Sequence, residues 1–193
     1  MPILHFHLLK QEQRKKLINE IQDLVLPDAP FFTPTMKSGT PFNYEMTNCG
    51  EFGWISDRYG YRYTKEHPTT SQAWPALTPN LQKLIEFLKR HEILEQNFKA
   101  QTCLINKYEK KGKLGLHQDN TEENLTAPII SISLGVPGIF LLGGFKRTGS
   151  LQEILLEPGD IFILSGEDRL RYHGFKGILG DGKRINLTIR QVN

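Results

Sequence analysis

Three residues of this chain have the types and spacing of a site for iron(II). His117 and Asp119 stand two positions apart, and His173 follows much later in the sequence. Two imidazoles and one carboxylate bind one face of a metal ion and leave three coordination positions open. Side chains two apart on a β-strand share a face, about 6.6 Å apart along the chain, and a metal bonded at about 2.1 Å to each can bridge them. The pattern predicts a facial triad of His117, Asp119 and His173.

A second pattern lies at residues 184–190, where polar and apolar side chains alternate. On a strand, Arg184, Asn186, Thr188 and Arg190 share one face. The two guanidinium groups offer planar forks that match carboxylates. Together with the triad, they indicate an oxygen-using iron(II) site with a dicarboxylate cosubstrate.

Each of these patterns also has a simpler explanation. A His-x-Asp pair arises by chance in a chain with six histidines, and a single later histidine is more often packed or exposed than a metal ligand. A solvated edge strand gives the same polar and apolar alternation as residues 184–190. The order of all three features, rather than any one of them, favours the metal site.

Composition sets the frame for the fold. A length of 193 residues predicts a single domain, 1–193, with a sizeable core. A formal net charge of +3 permits nucleic-acid binding but does not indicate it. Cys49 and Cys103 form no C-x-x-C pair, so we expect reduced packing residues in a cytoplasmic protein. The first nine residues lack the features of a signal peptide, and we expect no membrane span.

The spacing of apolar residues predicts two helices and a mainly β region. A helical stripe covers residues 12–25, and a second follows Thr78 as N-cap and Pro79 as first helical residue. Residues 31–72 are expected to form an irregular, mobile aromatic segment. Residues 101–193 are expected to form a double-sheet jelly roll flanked by the helices, because short apolar runs alternate with turn signals. The runs are 102–108, 128–134, 138–142, 153–156, 161–164, 170–175 and 185–190.

The remaining histidines carry weaker expectations. His5 and His7 are expected to lie on a strand with outward polar positions and no metal-binding partner nearby. His67 and His91 are expected to be exposed to solvent.

Beyond these patterns, the chain resembles the AlkB family of iron(II)/2-oxoglutarate-dependent nucleic-acid dealkylases, of the bacterial type. The likeness runs from about residue 35 onward and rests on several separate motifs in the same order. They are M-T-N-C-G at 46–50 with G-W at 53–54, N-K-Y at 106–108, L-H-Q-D at 116–119, A-P-I-I-S-I-S-L-G at 127–135 and R-x-N-x-T-x-R at 184–190.

The resemblance implies a double-stranded β-helix dioxygenase core that uses iron(II), 2-oxoglutarate and dioxygen. It implies that His117, Asp119 and His173 hold the iron and, with Arg190, form the catalytic group. Arg184 would pair with the distal carboxylate of 2-oxoglutarate, and Arg190 would lie near the carboxylate that chelates the iron. The other residues implied for the 2-oxoglutarate site are Asn106, Tyr108, Asn186 and Thr188.

On the substrate side, the resemblance implies that Trp54 stacks on a base flipped out of its strand, opposite the ring of His117. From the sequence alone, core packing is the commoner role for a tryptophan. The resemblance implies that residues 31–72 form a substrate lid, within which residues 36–58 correspond to a nucleotide-recognition lid. The Gly, Pro and Thr content of the lid is typical of a mobile loop. The other implied substrate contacts, which a solvated face would explain equally well, are Tyr61, Arg62, Tyr63 and Arg147.

Thr121 departs from the family pattern, which has an acidic residue two positions after the iron-binding Asp119. A carboxylate at that position accepts a hydrogen bond from the exocyclic amine of adenine or cytosine, whereas a hydroxyl accepts more weakly and without charge. Glu122 and Glu123 are acidic neighbours that could substitute, one or two positions out of register. The departure leaves the preference for 1-methyladenine and 3-methylcytosine open.

Four functional hypotheses follow. The first is oxidative dealkylation of alkylated single-stranded DNA, extending to duplex DNA, as direct repair by a monomer that needs no protein partner. The second is the same chemistry on RNA, such as tRNA. The third is a nucleic-acid-binding protein without catalysis, against which the complete triad argues. The fourth is a hydroxylase of proteins or small molecules, against which the segment around Trp54 argues.

Overall fold

The structure is a computed structural model that describes residues 3–193. A π-helical turn at Ile21–Val25 continues the first helix, and a 3-10 helix lies at Gly166–Leu170. The elements are β1 (Leu4–His7), α1 (Gln11–Glu20), β2 (Glu45–Gly50), β3 (Gly53–Asp57), β4 (Gly60–Thr64), α2 (Pro79–Arg90), β5 (Thr102–Tyr108), β6 (Leu114–His117), β7 (Ile129–Gly135), β8 (Gly138–Leu142), β9 (Gln152–Leu156), β10 (Asp160–Leu164), β11 (His173–Ile178) and β12 (Arg184–Arg190).

Two antiparallel sheets frame the molecule. The larger has six strands in the order β1-β10-β7-β12-β5-β2, and the smaller has four in the order β6-β11-β8-β9. Strands β3 and β4 pair with each other as a separate hairpin. The predicted mainly β, jelly-roll architecture with flanking helices is confirmed. Within residues 3–193, neither helix has the length and apolar character needed to cross a membrane.

Strand β12 contributes alternate side chains to the apolar core and to the cavity. Leu187 and Ile189 are fully buried and belong to the main apolar cluster, which includes side chains of α1 and α2. Burying each such side chain stabilises the fold by about 1.5–3 kcal/mol. The alternate residues of β12 face a cavity on the other side of the sheet. Because β12 lies between β7 and β5, the alternative of a solvated edge strand is wrong.

Most of the short apolar runs predicted to be strands do form strands, and the ranges 102–108 and 138–142 have the same bounds as β5 and β8. Helix α2 begins at Pro79, directly after an extended Thr78, as predicted. The run 170–175 is wrong in its first half, because a 3-10 helix ends at Leu170 and β11 begins only at His173. The cause is Arg169, whose buried guanidinium turns inward to pair with Glu122 at 2.9 Å.

The segment 31–72 is not irregular, since it contains β2, β3 and β4. Strand β2 pairs with β5 along its whole length and forms an edge of the six-stranded sheet. Its sequence hides this because Thr47 and Asn48 are polar yet fully buried. Thr47 donates to the carbonyl of Ala29 at 2.8 Å, and Asn48 bonds the backbone of Trp54. Polar side chains with satisfied hydrogen bonds can be buried, so the strand lacks an apolar signature.

Two expectations about histidines need correction. His67 is 1% exposed rather than solvated, because Nε2 donates to the carbonyl of Pro30 at 2.9 Å and the ring packs against Trp74. His91 is exposed as predicted. His5 and His7 lie on β1 as predicted, but they do have a partner. The buried carboxylate of Asp160 bonds His5 Nε2 and His7 Nδ1, each at 2.8 Å.

The two cysteines are packing residues as predicted. Cys49 on β2 and Cys103 on β5 are free, fully buried and directly opposite each other in the strand register.

Candidate active site

A cavity of about 600 Å³ lies between the two sheets, with the β3–β4 hairpin at its side. Nearly all of the residues singled out from the sequence line it. Arg62 and Tyr63 are the exceptions. The lining residues that the sequence predicted are Trp54, Tyr61, Asn106, Tyr108, His117, Asp119, Thr121, Arg147, His173, Arg184, Asn186, Thr188 and Arg190.

The two histidines of the triad come from neighbouring strands. His117 on β6 and His173 on β11 are directly opposite in the register, and their ring centroids are 4.4 Å apart. The carboxylate of Asp119 lies between them, 3.6 Å from Nε2 of each ring. Asp119 is two residues beyond the end of β6, so the expectation that one strand carries both His117 and Asp119 is wrong. The three donor atoms nevertheless lie within 4.8 Å of one another.

Backbone carbonyls fix which nitrogen each histidine offers. His117 Nδ1 donates to the carbonyl of Gly115 at 2.8 Å, and His173 Nδ1 donates to the carbonyl of Arg171 at 2.9 Å. Each proton therefore lies on Nδ1, and each Nε2 lone pair faces Asp119. This is the tautomer that a metal ligand needs.

The protonation states agree with metal binding. Burial, with the neighbouring His173, lowers the pKa of His117 to about 4, so its ring is neutral near pH 7. Burial opposes the ionisation of Asp119, but Arg190 and the two histidines hold its pKa below the usual range. Metal ligands must be deprotonated, and His117 and Asp119 already are. Two imidazoles and one carboxylate fit iron(II).

Arg184 lies elsewhere along the same cavity, where it carries unused hydrogen-bonding capacity. Its Nη2 donates to Ser133 Oγ at 2.8 Å and to Asn186 Oδ1 at 3.1 Å, and the Phe175 ring lies 5.2 Å from the guanidinium carbon. Among the described residues, its buried Nε and Nη1 have no partner. Burial lowers the pKa of Arg184 to about 10. Unpaired buried donors cost about 1–3 kcal/mol each, and a carboxylate in the cavity would supply their acceptors.

The residues around Arg184 hold one another in place. Asn186 Oδ1 accepts from Ser131 Oγ at 3.0 Å, and its Nδ2 donates to Thr188 Oγ1 at 2.9 Å. Burial raises the pKa of Tyr108, so its phenol stays protonated and can donate to an anion. Asn106 is buried opposite Asn186 in the register. The side chain of Asn186 thus orients its neighbours as well as facing the cavity.

Arg190 occupies the triad end of the same strand. Its Nη2 lies 2.9 Å from Asp119 Oδ2, and its Nη1 donates to Glu122 Oε1 at 2.8 Å and to the Tyr63 hydroxyl at 3.3 Å. Burial disfavours its charge, but Asp119 and Glu122 raise the pKa of Arg190 well above its ordinary value. Arg190 therefore lies beside the candidate metal ligands, whereas Arg184 has two donors, Nε and Nη1, available for an anion.

Trp54 is half-buried, with contacts both to an apolar cluster and to the cavity. It packs against a small apolar cluster that includes Tyr44 and Met46, and it also lines the cavity. The exposed Tyr61 stacks on it, with ring centroids 5.4 Å apart and an interplanar angle of 21°. The fully packed tryptophan of this chain is Trp74, at 6% exposure. A cavity-facing indole is what base stacking requires.

Two residues predicted to contact substrate lie outside the cavity. Arg62 pairs with Asp57 through two hydrogen bonds of 2.7 Å. Tyr63 is not a surface tyrosine, because its hydroxyl donates to Glu122 and also contacts Arg190. Its hydroxyl therefore lies beside Glu122 and Arg190, which are next to Asp119, and not in solvent.

Sequence reasoning missed several residues of the site. Glu122 does not take the place of an acidic residue at Thr121, because its side chain is fully buried between Arg169 and Arg190. No local pattern marks Glu122 or Arg169, which are 47 residues apart. Ser131 and Ser133 had a readable signal, since they occupy alternate positions in an otherwise apolar strand.

The chain is similar to known proteins over a range that includes all of the site residues described above. The chain matches the profile of the 2OG-Fe(II) oxygenase superfamily over residues 3–190. It is 40% identical over 184 residues to the alpha-ketoglutarate-dependent dioxygenase AlkB of Escherichia coli, covering 92% of this chain and 84% of that protein. It is 29% identical over 156 residues to the tRNA demethylase abh1 of Schizosaccharomyces pombe, covering 72% of this chain and 51% of that protein. The solved structure of OsALKBH1 superposes with a TM-score of 0.82 at 26% identity, covering 99% of both chains.

Proposed function

The chain belongs to the 2OG-Fe(II) oxygenase superfamily and to its AlkB family, and we propose that it oxidatively dealkylates N-alkylated bases in DNA, chiefly single-stranded. It is an iron(II)- and 2-oxoglutarate-dependent dioxygenase. In the proposed reaction, the alkyl group of a base such as 1-methyladenine or 3-methylcytosine leaves as an aldehyde. 2-Oxoglutarate becomes succinate and carbon dioxide in the same turnover. The proposed role is direct repair of alkylation damage.

The metal-binding end of the cavity follows from the triad. His117 and His173 present Nε2, and Asp119 presents an ionised carboxylate. Iron(II), when bound there with 2-oxoglutarate and dioxygen, supplies the oxidising chemistry. Arg190 keeps Asp119 ionised and correctly placed from the other side.

The observation that carries the cosubstrate assignment is that Nε and Nη1 of the Arg184 guanidinium have no partner among the described residues. Its free Nε and Nη1 can receive the distal carboxylate of 2-oxoglutarate in a charge-assisted pair. The protonated phenol of Tyr108 lies on the adjacent strand and can donate to the same anion. Arg184 and the triad line the same cavity, so these residues would hold the two ends of one dicarboxylate.

Trp54 supports a nucleic-acid substrate, because its ring lines the same cavity as His117. A base must leave its stack before its alkyl group can approach the triad, and damaged or unpaired bases leave at the lowest cost. Stacking on an aromatic side chain is worth about 1–3 kcal/mol per base. Arg147, exposed at the cavity wall, supplies positive charge for a phosphate.

A second candidate is the same reaction on RNA. The observation in its favour is Thr121, which lines the cavity with an uncharged acceptor. The similarity to a tRNA demethylase at 29% identity points the same way. We propose further that the protein acts in the cytoplasm as a monomer without an obligate protein partner. Two free, buried thiols are in keeping with a reducing compartment.

The decisive experiment is formaldehyde release from oligonucleotides of one sequence, as DNA and as RNA, carrying 1-methyladenine or 3-methylcytosine. We expect faster turnover of single-stranded DNA, lost in His117→Ala and retained in His91→Ala, which changes an exposed histidine beyond α2. Faster turnover of RNA would select the second candidate. Formaldehyde release that persists in His117→Ala would refute both.

A further inference from the structure

Glu122 is a fully buried carboxylate held by four donors. Its Oε1 accepts from Arg190 Nη1 at 2.8 Å, from the hydroxyl of Tyr63 and, more weakly, from Thr121 Oγ1 at 3.5 Å. Its Oε2 accepts from Arg169 Nη2 at 2.9 Å. The side-chain exposure is 0% for Glu122, 1% for Arg169 and 7% for Arg190. Burying charged groups is costly unless each is paired and hydrogen-bonded, and here each is.

We propose that Glu122 is a positioning residue that sets Arg190 beside Asp119 and links the β3–β4 hairpin to the metal-binding end of the cavity. The inference deepens the proposed function and rests on it. Glu122 does not line the cavity, so it acts through its partners and not on substrate.

The first part of the argument concerns how Arg190 divides its donors. A guanidinium and a carboxylate left to themselves prefer a bidentate pair with two parallel hydrogen bonds. Arg190 instead places Nη2 on Asp119 Oδ2 and Nη1 on Glu122 Oε1. Because Glu122 occupies one fork of the guanidinium, Asp119 keeps Oδ1 directed at His117. Without Glu122, Arg190 could close on both oxygens of Asp119 and compete with a metal ion for them.

The second part concerns the backbone of Asp119. Arg169 donates through Nη2 to Glu122 and through Nη1 to the main-chain carbonyl of Asp119, at 2.9 and 3.0 Å. Asp119 lies beyond the end of β6 and so lacks strand hydrogen bonds to orient it. Glu122 thus acts on the side chain of Asp119 through Arg190 and on its backbone through Arg169.

The third part concerns the hairpin. Tyr63 on β4 is the register partner of Trp54 on β3, the tryptophan that lines the cavity. The Tyr63 hydroxyl bonds Glu122 and lies 3.3 Å from Arg190 Nη1. If a bound base displaced the hairpin, the position of Arg190 would therefore change. Because Arg190 contacts Asp119, the position of Asp119 would change as well. The arrangement connects substrate docking to the geometry of the metal ligands.

The test uses Glu122→Gln, which keeps the shape of the side chain and removes its charge, with Glu123→Gln as matched control. Glu123 is the adjacent acid and is exposed. Cobalt(II) serves as the probe, because its absorption spectrum reports ligand geometry without any turnover. We expect Glu122→Gln to bind cobalt(II) about 10–100-fold more weakly, as is usual when a partner of a metal ligand is lost. We also expect an altered spectrum, and Glu123→Gln to match wild type.

A second variant, Tyr63→Phe, tests the hairpin link and keeps the inference falsifiable if Glu122→Gln does not fold. We expect Tyr63→Phe to bind cobalt(II) as wild type does, but to form more succinate per formaldehyde released. Wild-type cobalt(II) affinity and spectrum in folded Glu122→Gln would overturn the positioning role. An unchanged succinate-to-formaldehyde ratio in Tyr63→Phe would overturn the hairpin link. Absence of formaldehyde from wild type would instead count against the proposed function, since cobalt(II) binding needs no nucleic acid.

Discussion

Arg190 Nη2 lies 2.9 Å from Asp119 Oδ2, so the strand that lines the proposed cosubstrate site directly contacts the carboxylate of the candidate metal triad. The contact joins β12 of the large sheet to a residue that follows β6 of the small one. It holds the pKa of Asp119 below its usual range although the carboxylate is buried. Metal affinity and cosubstrate affinity are therefore expected to respond to overlapping sets of substitutions.

Replacement of Asp119 by asparagine should strongly weaken iron binding while leaving the shape of the site intact. The amide cannot supply the anionic ligand between His117 and His173. We expect iron affinity to fall by at least the roughly 10–100-fold that loss of an outer partner costs. Metal content after dialysis measures this. Asp181→Asn, at an exposed position, is the control and should retain wild-type metal content.

Replacement of Arg184 by lysine should weaken 2-oxoglutarate binding selectively. Lysine keeps the charge but not the planar fork whose Nε and Nη1 are unpaired. Loss of one charge-assisted hydrogen bond costs about 1.5–3 kcal/mol, or roughly 10–150-fold in Kd. Calorimetric titration of the metal-loaded protein with 2-oxoglutarate gives the value. The adjacent, exposed Lys183→Ala should behave as wild type, and an equal loss in both variants would contradict the assignment.

Truncation of Trp54 should act on the nucleic acid and not on the cosubstrate. Trp54→Ala removes the stacking surface, which is worth about 1–3 kcal/mol per base, whereas Trp54→Phe keeps part of it. We expect KM for a methylated oligonucleotide to rise in the order wild type, Trp54→Phe, Trp54→Ala. Succinate formation without nucleic acid is the internal control. If it falls in parallel with formaldehyde release, Trp54 supports the fold of the site and not base binding.

Thr121 is expected to set which bases are preferred. Thr121→Asp introduces a charged acceptor at the cavity wall, and a hydrogen bond to a charged group contributes about 1.5–3 kcal/mol. Turnover of 1-methyladenine and 3-methylcytosine should rise relative to 3-methylthymine, which has no exocyclic amine. Thr121→Val, which removes the hydroxyl acceptor, should shift the ratio the other way. A ratio of product formation that is the same in all three proteins would show that Thr121 does not read the base.

Asp160 should contribute stability that depends on pH. Burial opposes its ionisation, but hydrogen bonds from His5, the Glu157 amide and His7 lower its pKa below the ordinary value. When the pKa of a carboxyl group is lower in the folded than in the unfolded state, its ionised form stabilises the fold at pH values above the unfolded-state pKa. That contribution to stability is lost as pH falls through the folded-state pKa. We expect Asp160→Asn to lower the free energy of unfolding at pH 7 by about 1.5–3 kcal/mol. The difference from wild type should shrink below about pH 4. Urea denaturation at pH 7 and pH 3.5 measures both, with Asp181→Asn as control.

The parts of the fold that could be predicted from sequence are those in which burial follows a local period. Residues 184–190 alternate strictly, because one face meets the helices and the other meets the cavity. Strand β2 breaks that rule, since Thr47 and Asn48 are buried through specific hydrogen bonds. Sequence alone reads them as exposed.

The candidate site divides in the same way. His117, Asp119 and the two arginines belong to short motifs, whereas His173 is a single distant histidine. The structure brings all five residues to one cavity. Glu122 and Arg169 could not be found, because each is recognisable only from a partner distant in sequence. The resemblance implies that Arg62 and Tyr63 contact substrate. In the structure, Arg62 pairs with Asp57 and the Tyr63 hydroxyl bonds Glu122.

The side-chain amide of Asn48 accepts from the backbone N–H of Trp54 at 3.1 Å and donates to its carbonyl at 3.0 Å. Asn48 is fully buried on the edge strand of the large sheet, so the main chain under the indole is anchored to that sheet. The conformational entropy of this tryptophan's backbone is lost when the chain folds, and not again when a ligand arrives. Preorganisation of this kind leaves more of the stacking energy to appear as affinity.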